Sequence, residues 1–366
     1  MNFHPSRSPR RQNLVPVAAC SCVLTLALGA GCQSGGAARD SGTSGQAAKR
    51  GQNGASVLTP VAMSSLREKA IGIVEETASA SDPALRANAA EAASYLPARL
   101  RPVLEAALTD TNPGVRAVGV FAVGKAKVMP LSKQAAALTE DAVPVVKASA
   151  IYAAIRTGST ADRSPLADML LHDPSASTKR QAVDVLGALE EPSARSLLKA
   201  AAKERFPELP PAQTRLLQLQ IAAALVRLGD DSQRPVVRAA LYPSQPDELE
   251  AAVLAVQILG ELEDKEAAAQ LVSIAEYKDR AGKQYPPEVR LAVAAALAQL
   301  GMPEGSFVAE QYVSHPSPMV RAQVASVYGV TKGKQNGARL AQLMDAPEPQ
   351  VRIAAAAAVL KSLSRQ

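Results

Sequence analysis

Residues 287–301 read PEVRLAVAAALAQLG, and this stretch decides the fold. The proline suits the first turn of a helix, and apolar residues follow Arg290 at helical spacing, as at Val293 and Leu297. Gly301 then supplies a helix stop, because glycine readily adopts the left-handed conformation that ends many helices. The stretch predicts a short amphipathic helix with a defined beginning and end.

The same pattern recurs along the chain from residue 57 onward. Each copy has a turn with Asp or Pro, an anchor position that is basic in most copies, and small or apolar residues at helical spacing after it. The anchors follow one another at intervals of 30–39 residues: Arg86, Arg116, Lys147, Lys179, Gln218, Ala252, Arg290, Arg321 and Arg352. Nine copies at a near-constant interval define an array of repeats.

A second apolar stretch with helical spacing follows the first one in each repeat, for example over residues 191–202 and 265–276. One repeat is therefore predicted to be a hairpin of two short helices, which must stack on its neighbours to bury its apolar faces. The composition also favours helices over strands. The chain has 72 Ala, the strongest helix former, but no Trp and only 3% aromatic residues, which strands prefer. We predict an all-α fold, an α-solenoid of about nine helical hairpins.

The two ends of the array are expected to be open. A helix over residues 60–78 precedes the first anchor and is expected to cap the N-terminal end. Residues 352–364 form a final helix that no second helix follows, so its apolar face is a candidate surface for end-on association. Nine hairpins at roughly 10 Å each predict a curved rod about 90 Å long.

An acidic residue stands six positions before the anchor in three consecutive repeats. The pairs are Asp110 and Arg116, Asp141 and Lys147, and Asp173 and Lys179. With the periodicity, these pairs resemble the HEAT-repeat family, particularly its short bacterial, phycobilin-lyase-like type, over about residues 58–366. The resemblance implies an armadillo-like superhelix in which these residues form a structural ladder between repeats. The later repeats lack the acid at this spacing, so a complete ladder is not expected there.

The first 56 residues are predicted to be a targeting signal followed by a flexible tether. Basic residues precede an uncharged stretch over residues 14–31, which is typical of a secretory signal. The sequence LGAGC at residues 28–32 resembles the lipobox of bacterial lipoproteins, which implies cleavage before Cys32 and lipidation of Cys32. Ordinary signal cleavage is the alternative. We divide the chain into a signal at 1–31, a Gly/Ser/Ala-rich tether at 32–56 and the solenoid at 57–366.

These features predict an exported lipoprotein that faces the periplasm and is anchored to a membrane. The residue after the cysteine, Gln33, is similar to that of lipoproteins sorted to the outer membrane. The distribution of charged residues is also consistent with export. The formal charge is +6, and three of the basic residues belong to the signal, so the mature chain carries only +3. With so few aromatics, this weak basicity gives no reason to expect a nucleic-acid partner.

Catalytic and metal-binding motifs are not apparent in the sequence. The three histidines and three cysteines are too few for a multi-ligand metal site, and no histidine is followed by the Glu that metal-binding HEAT-repeat enzymes use. His172 and His315 fall where helices are predicted to end, a position that favours histidine electrostatically. We therefore predict no catalytic residue, no metal, no cofactor and no enzymatic activity.

Three consecutive loops between repeats carry an aromatic residue followed by proline, at Phe206, Tyr242 and Tyr285. These loops are predicted to share one edge of the solenoid, where insertions often serve binding. Rigid aromatic side chains make good interface anchors, although each ring could instead pack on its own repeat. The main hypothesis is a scaffold that binds a protein or peptide. The alternatives are an enzyme or enzyme accessory that uses the concave groove, and a structural component of the cell envelope.

Overall fold

The computed structural model describes residues 60–243, 248–302, 304–331 and 336–364. The predicted signal (1–31), the tether (32–56) and Cys32 lie outside the described residues. Within the described ranges the chain is helical and contains no strand. None of the described helices is both long enough and apolar enough to span a bilayer.

One helix of each repeat begins just before the anchor position, and most of these first helices have proline at or near their first residue. Asp82, Asn112 and Ser175 cap three of them through side-chain oxygens that accept backbone N–H groups. The nine first helices are α2 (Pro83–Ala93), α4 (Pro113–Lys125), α6 (Pro144–Arg156), α8 (Ala176–Ala188), α10 (Pro211–Arg227), α12 (Leu249–Glu261), α14 (Pro287–Gln299), α16 (Pro318–Val330) and α18 (Pro349–Ser364).

The second helices are shorter, and several are preceded by a single 3₁₀ turn. They are α3 (Arg101–Leu108), α5 (Ser132–Ala137), α7 (Ser164–Leu171), α9 (Arg195–Ala201), α11 (Arg234–Ala239), α13 (Ala268–Glu276), α15 (Glu304–Glu310) and α17 (Asn336–Met344). One further helix, α1 (Pro60–Thr77), precedes the first repeat. The prediction of an all-α solenoid of nine hairpins is confirmed.

The residue eleven positions after the anchor adopts a left-handed conformation in six consecutive repeats. Glycine occupies this place after α6, α10 and α14, with φ of 85° at Gly158, 86° at Gly229 and 85° at Gly301. The intervening repeats place Lys127, Glu190 and Glu263 there, with φ between 48° and 56°. The left-handed helix stop is therefore a property of the repeat. In three repeats a residue other than glycine adopts it, which costs conformational energy.

The first helices form a closed ring. Each packs against the first helix of the next repeat, from α2 through to α18, and α18 then packs against α2. The second helices pack mainly on first helices and hardly on one another, so they lie on the outside of the ring. The expectation of an open rod about 90 Å long is wrong, because the two ends of the array meet.

Helix α1 closes the ring by occupying, beside α18, the place that a second helix has in each of the other repeats. It packs on α18 and on α2, as each second helix packs on the first helices of its own and the following repeat. Leu66, Ile71 and Val74 of α1 are buried in one continuous apolar cluster with Val351 and Ile353 of α18. The apolar face of α18 is thus covered by the same chain, and it is not a free surface for end-on association.

Candidate functional site

Basic anchors of the first two repeats bind an acid of the following repeat. The guanidinium of Arg86 donates two hydrogen bonds to the Asp110 carboxylate, at 2.7 and 2.8 Å, and Arg116 donates two to Asp141, at 2.9 and 3.1 Å. The hydrogen bond from Arg86 lowers the pKa of Asp110. Burial opposes this effect at Asp141, but hydrogen bonds from Arg116 and a backbone N–H still lower its pKa. Two of the predicted acids are thus joined to anchors one repeat earlier.

The other predicted ladder residues have different surroundings. Lys179 is fully buried, and its ammonium group contacts the Glu208 carboxylate at 3.1 Å and the backbone carbonyls of Leu170 and Leu171. The Asp173 carboxylate accepts a hydrogen bond from the backbone N–H of Ser175. Lys147 lies close enough to Asp141 to contribute to lowering the pKa of that carboxyl.

Inter-repeat ion pairs also reach the last repeats, where the sequence pattern gave no reason to expect them. Arg321 contacts Glu348 at 2.6 Å, and Arg352 contacts Glu76 of α1 at 3.7 Å. The acid stands at a different spacing here, four residues before the next anchor in the case of Glu348. The hydrogen bond from Arg321 lowers the pKa of Glu348. The pair at Glu76 extends the ladder across the point where the ring closes.

The three loop aromatics do not share one environment. Phe206 is 6% exposed within an apolar cluster, and the Lys179 ammonium lies 4.6 Å from its ring centroid. The prediction that Phe206 is an interface anchor is therefore wrong. Phe206 is a core residue, and a partner cannot reach its ring. Tyr242 is 56% exposed, and Tyr285 is half-buried.

Tyr277 joins Tyr242 and Tyr285 in a surface cluster, which we call the tyrosine patch. Tyr277 is the residue that follows helix α13, is 47% exposed, and places its ring centroid 4.8 Å from that of Tyr285. Burial, with smaller contributions from Tyr277 and Tyr242, raises the pKa of Tyr285. Sequence reasoning missed Tyr277 because it is not followed by proline, although a tyrosine eight residues before Tyr285 was available as a signal.

The loop between Tyr277 and Tyr285 has a defined conformation and a basic surface. The Asp279 carboxylate accepts hydrogen bonds from the backbone N–H groups of Ala281 and Lys283, at 2.9 and 2.8 Å. With this acid engaged in the turn, the exposed charged side chains that follow Tyr277 in the loop are Lys278, Arg280 and Lys283. The tyrosine patch therefore lies beside positive charge.

A second candidate surface is the inner wall of the ring. Residues two, five and nine positions after each anchor lie on the face of the first helix opposite the apolar face that meets the second helices. Because the second helices are outside, this face lines the interior. We call these positions the inner wall. From α6 to α14 the remaining inner-wall positions are Ala188, Ala223, Leu254, Ala292 and Ala295, and the polar and aromatic ones are Ser149, Tyr152, Arg156, Gln181, Asp184, Gln220, Arg227, Gln257, Glu261 and Gln299.

Polar contacts join neighbouring helices along this wall. The Gln181 side-chain amide donates to the Ser149 hydroxyl at 3.0 Å. In the next pair of helices, the Gln220 amide donates to the Asp184 carboxylate at 3.0 Å. Arg227 and Glu261 form an ion pair at 2.6 Å. Burial raises the pKa of Asp184 to about 7, with nearby Arg227 opposing the shift and Glu261 adding to it.

Aromatic rings and cations occupy the same wall on the adjoining helices. The rings of Phe121 and Tyr152 stack with centroids 4.4 Å apart. The Arg156 guanidinium lies 5.9 Å from the Tyr152 centroid, and the Lys125 ammonium lies 5.4 Å from that of Tyr95. In contrast, α14 and α18 present alanines to the interior at Ala292, Ala295, Ala354 and Ala357. One part of the inner wall thus carries polar and aromatic side chains, and another part carries small side chains.

Neither histidine in the described ranges lies in a metal-ligand cluster, and the side chains there form no group suited to hold a metal ion. His172 is exposed and contacts Asp168 of the same helix at 3.1 Å. The ring of His315 accepts a hydrogen bond from the backbone N–H of Ser317 at 3.2 Å. Both have local partners at the end of a helix or in the turn that follows.

Comparisons with known proteins agree on the fold. A family model of HEAT repeats matches residues 279–361, which is about a quarter of the chain. No curated protein sequence matches the chain. Among solved structures, the complex of CpcE and CpcF of phycocyanin lyase from Nostoc sp. PCC7120 is similar at 16% identity and a TM-score of 0.39, over 77% of this chain and 100% of that one.

Two further structures are similar at comparable levels. Human deoxyhypusine hydroxylase in complex with glycerol matches with 18% identity and a TM-score of 0.33, over 83% of this chain and 99% of that one. An engineered protein matches with 15% identity and a TM-score of 0.31, over 79% of this chain and 87% of that one.

The comparisons overturn one sequence-based prediction. The chain was predicted not to be an enzyme, yet the similar structures include a hydroxylase and components of a lyase. Helical-repeat folds of this kind are therefore compatible with catalysis, and the fold gives no ground for excluding it.

Proposed function

We propose that this HEAT-repeat ring is a scaffold that binds a protein partner through the tyrosine patch. The single observation that carries the proposal is the contact of Tyr277 with Tyr285, with Tyr242 near enough to contribute to the raised pKa of Tyr285, in a chain with only eleven Phe and Tyr residues; Tyr242 and Tyr277 are about half exposed. Tyrosine is enriched at interfaces because it offers a large contact area at low entropic cost. HEAT-repeat folds are suited to such a role, since they present broad surfaces.

Lysine and arginine beside the patch define the partner further. Lys278, Arg280 and Lys283 are exposed and lie in the loop that joins two of the tyrosines. The partner surface is therefore expected to combine apolar or aromatic groups with acidic side chains, which would steer association by charge complementarity.

The test is crosslinking capture from intact cell envelopes with a paired substitution, Tyr242→Ala and Tyr277→Ala. Both side chains are exposed, so the thermal unfolding midpoint should stay near that of the wild type while the crosslinked partner is lost. Phe307→Ala is the matched control, because Phe307 is also exposed but lies on α15, outside the patch. Equal capture by the paired variant and the control would overturn the proposal.

We further propose that the scaffold is exported and anchored to a membrane through lipid on Cys32, facing the periplasm and sorted to the outer membrane. The LGAGC sequence at residues 28–32 and the basic, apolar stretch before it support this proposal. Two lipid signals are needed for stable anchoring, and lipoprotein modification supplies several chains at one residue. Metabolic labelling with a fatty acid should mark the wild type and not Cys32→Ser. Label retained by the variant would contradict the anchor.

A further inference from the structure

We propose that the ring forms a two-fold dimer, in which the rim at the C-terminal ends of the first helices packs against the same rim of a second copy of this chain. The tyrosine patch lies on the opposite rim, where second helices lead into the next repeat. The dimer is therefore independent of the proposed partner surface and leaves that surface accessible in both copies.

The loops that join the first helix of a repeat to its second helix lie side by side on this rim. Contacts between neighbouring repeats link the first six of them in order, and these contacts are Lys125 with the ring of Tyr95, the Met129 methyl beside Gly158, Arg163 with Glu191, Lys199 with Asp230, and Arg238 with Asp264. The six loops therefore form one continuous surface.

The charge of these loops changes sign halfway along the six repeats. Residues 94–101, 125–133 and 157–164 contain six basic residues and one acid, and we call these three loops the basic arc. Residues 189–195, 228–234 and 262–268 contain seven acids and three basic residues, and we call them the acidic arc. One rim thus carries both signs of charge, each over three successive repeats.

Exposed charges are arranged symmetrically about the midpoint of the two arcs. From the first repeat to the third, the exposed basic residues are Arg99 and Arg101, then Lys127 and Lys133, then Arg163. From the fourth repeat to the sixth, the exposed acids are Glu190, then Asp231, then Glu263 and Glu266. Asp162 and Lys265 are the exposed residues of opposite sign in the two arcs, one in each.

A two-fold axis through this midpoint brings opposite charges together. The axis lies across the rim between the third and fourth repeats, so it places the third repeat on the fourth of the other copy, the second on the fifth and the first on the sixth. Each basic loop then faces an acidic loop, and the symmetry makes every pairing twice. A uniformly anionic surface such as a membrane would instead repel the acidic arc, so a second copy is the better match.

Four of the exposed charges have no ion-pair partner among the described residues: Lys127, Lys133, Glu190 and Glu263. Lys127, Glu190 and Glu263 also occupy the left-handed position where other repeats have glycine. A charged side chain there costs conformational energy and forms no ion pair within the chain. Contact with a second copy supplies the partners.

Sedimentation velocity of the purified full chain tests the proposal, with the three cysteines replaced by serine so that no disulfide can join two copies. This chain should dimerise at about 0.1 M salt and dissociate at about 1 M, because the Debye length falls from about 10 Å to about 3 Å. Lys127→Glu with Lys133→Glu should weaken dimerisation at least tenfold, since acidic loops would then face each other. Glutamate already occupies the position of Lys127 in two other repeats, so the fold should tolerate it.

A mixing experiment distinguishes contact between copies from a general effect of charge. Asp231→Lys alone should also weaken dimerisation, because basic loops would then face each other. An equimolar mixture of this chain with the Lys127→Glu and Lys133→Glu chain should form a heterodimer, since every facing pair of loops is again opposite in charge.

Lys278→Glu with Lys283→Glu is the matched control, because it makes the same change of net charge at exposed residues of the opposite rim. This control and the paired Tyr242→Ala and Tyr277→Ala variant should dimerise as the unsubstituted chain does, which separates the dimer from the proposed partner surface. A monomer at about 0.1 M salt, a dimer that 1 M salt leaves intact, or an open series of larger oligomers would each overturn the proposal. Equal weakening in the control, or no heterodimer in the mixture, would overturn it as well.

Discussion

The fold favours the protonated form of the Asp184 carboxyl group. Burial raises its pKa to about 7, against an ordinary value of 3.8. A carboxyl whose pKa is raised on folding binds its proton more tightly in the native state. Its favourable contribution is therefore complete below pH 4 and is lost as the pH rises through 7. Stability should fall over the same interval on account of this residue.

Asp184→Asn tests this assignment. Asparagine keeps an oxygen that can accept from Gln220 but cannot ionise, so the variant should exceed the wild type in unfolding free energy by about 1–2 kcal/mol at pH 8. The advantage should shrink to within roughly 0.5 kcal/mol at pH 4. Urea unfolding at both pH values measures it. A pH-independent difference would show that charge at this position is not responsible.

Single residues show both what sequence spacing can predict and where it stops. The regular interval of the anchors and acids located Asp110 and Asp141, but local spacing paired each acid with the anchor of its own repeat. In the structure their side chains bind Arg86 and Arg116 of the preceding repeat, at 2.7 and 2.9 Å. Phe206 and Tyr242 have the same sequence context, an aromatic before proline, yet one is buried and the other exposed. Only the packing of the folded chain determines which of two such aromatic residues is buried.

At the scale of helices, small residues set how closely the first helices approach one another. A methyl group added at Gly329 of α16 would lie 2.8 Å from the Ala358 Cβ and 2.9 Å from its Cα, both in α18. These contacts involve backbone and Cβ atoms, which cannot rotate away. The abundance of alanine and glycine is thus explained by contact between successive first helices.

Gly329→Ala should therefore destabilise the protein by about 1–3 kcal/mol, since it overpacks this interface. Gly72→Ala is the matched control. Gly72 is exposed in the middle of α1 with no atom near its potential Cβ, so the substitution should stabilise by about 0.5–1 kcal/mol through helix propensity. Thermal or urea unfolding measures whether each substitution raises or lowers the free energy of unfolding. A stabilised Gly329→Ala would mean that α16 and α18 are further apart than described.

The bounds of the helices followed closely from the sequence. A helix expected over residues 60–78 is observed as Pro60–Thr77, and the final helix expected over 352–364 is observed as Pro349–Ser364. The second helices are shorter than the pattern suggested, because their first turns are 3₁₀ turns at Pro192–Ala194 and Lys265–Ala267. Apolar periodicity and proline fix where a helix runs, but they do not distinguish a 3₁₀ turn from the first turn of an α-helix.

At the scale of the whole molecule, closure is the property that sequence reasoning could not supply. Nine repeats that complete a circle each turn the chain by about 40°. Such a rotation arises from the sizes of many side chains between successive first helices, and no single motif encodes it. The sequence signal for α1 was its apolar face, and the partner of that face, α18, lies almost 300 residues away.

A distance measurement tests closure directly. Lys69 of α1 and Asp345 form an ion pair at 2.5 Å. Spin labels placed at these two positions, in a chain whose native cysteines are replaced, should report a single short distance. An open rod about 90 Å long would instead place the labels near opposite ends. Val74→Asp should lengthen or broaden the distance, because it buries a charge between α1 and α18.

The hairpin formed by α18 and α1 also has a consequence for how the protein is made. Among the described helices, α1 leaves the ribosome first and α18 leaves it last. The apolar stripe of α1, with Leu66, Ile71 and Val74, has no native partner until residues 349–364 have been synthesised. During synthesis the apolar stripe of α1 therefore stays without its native partner until almost the whole chain has been made, a state prone to misassembly. The ring therefore cannot close before α18 has been synthesised.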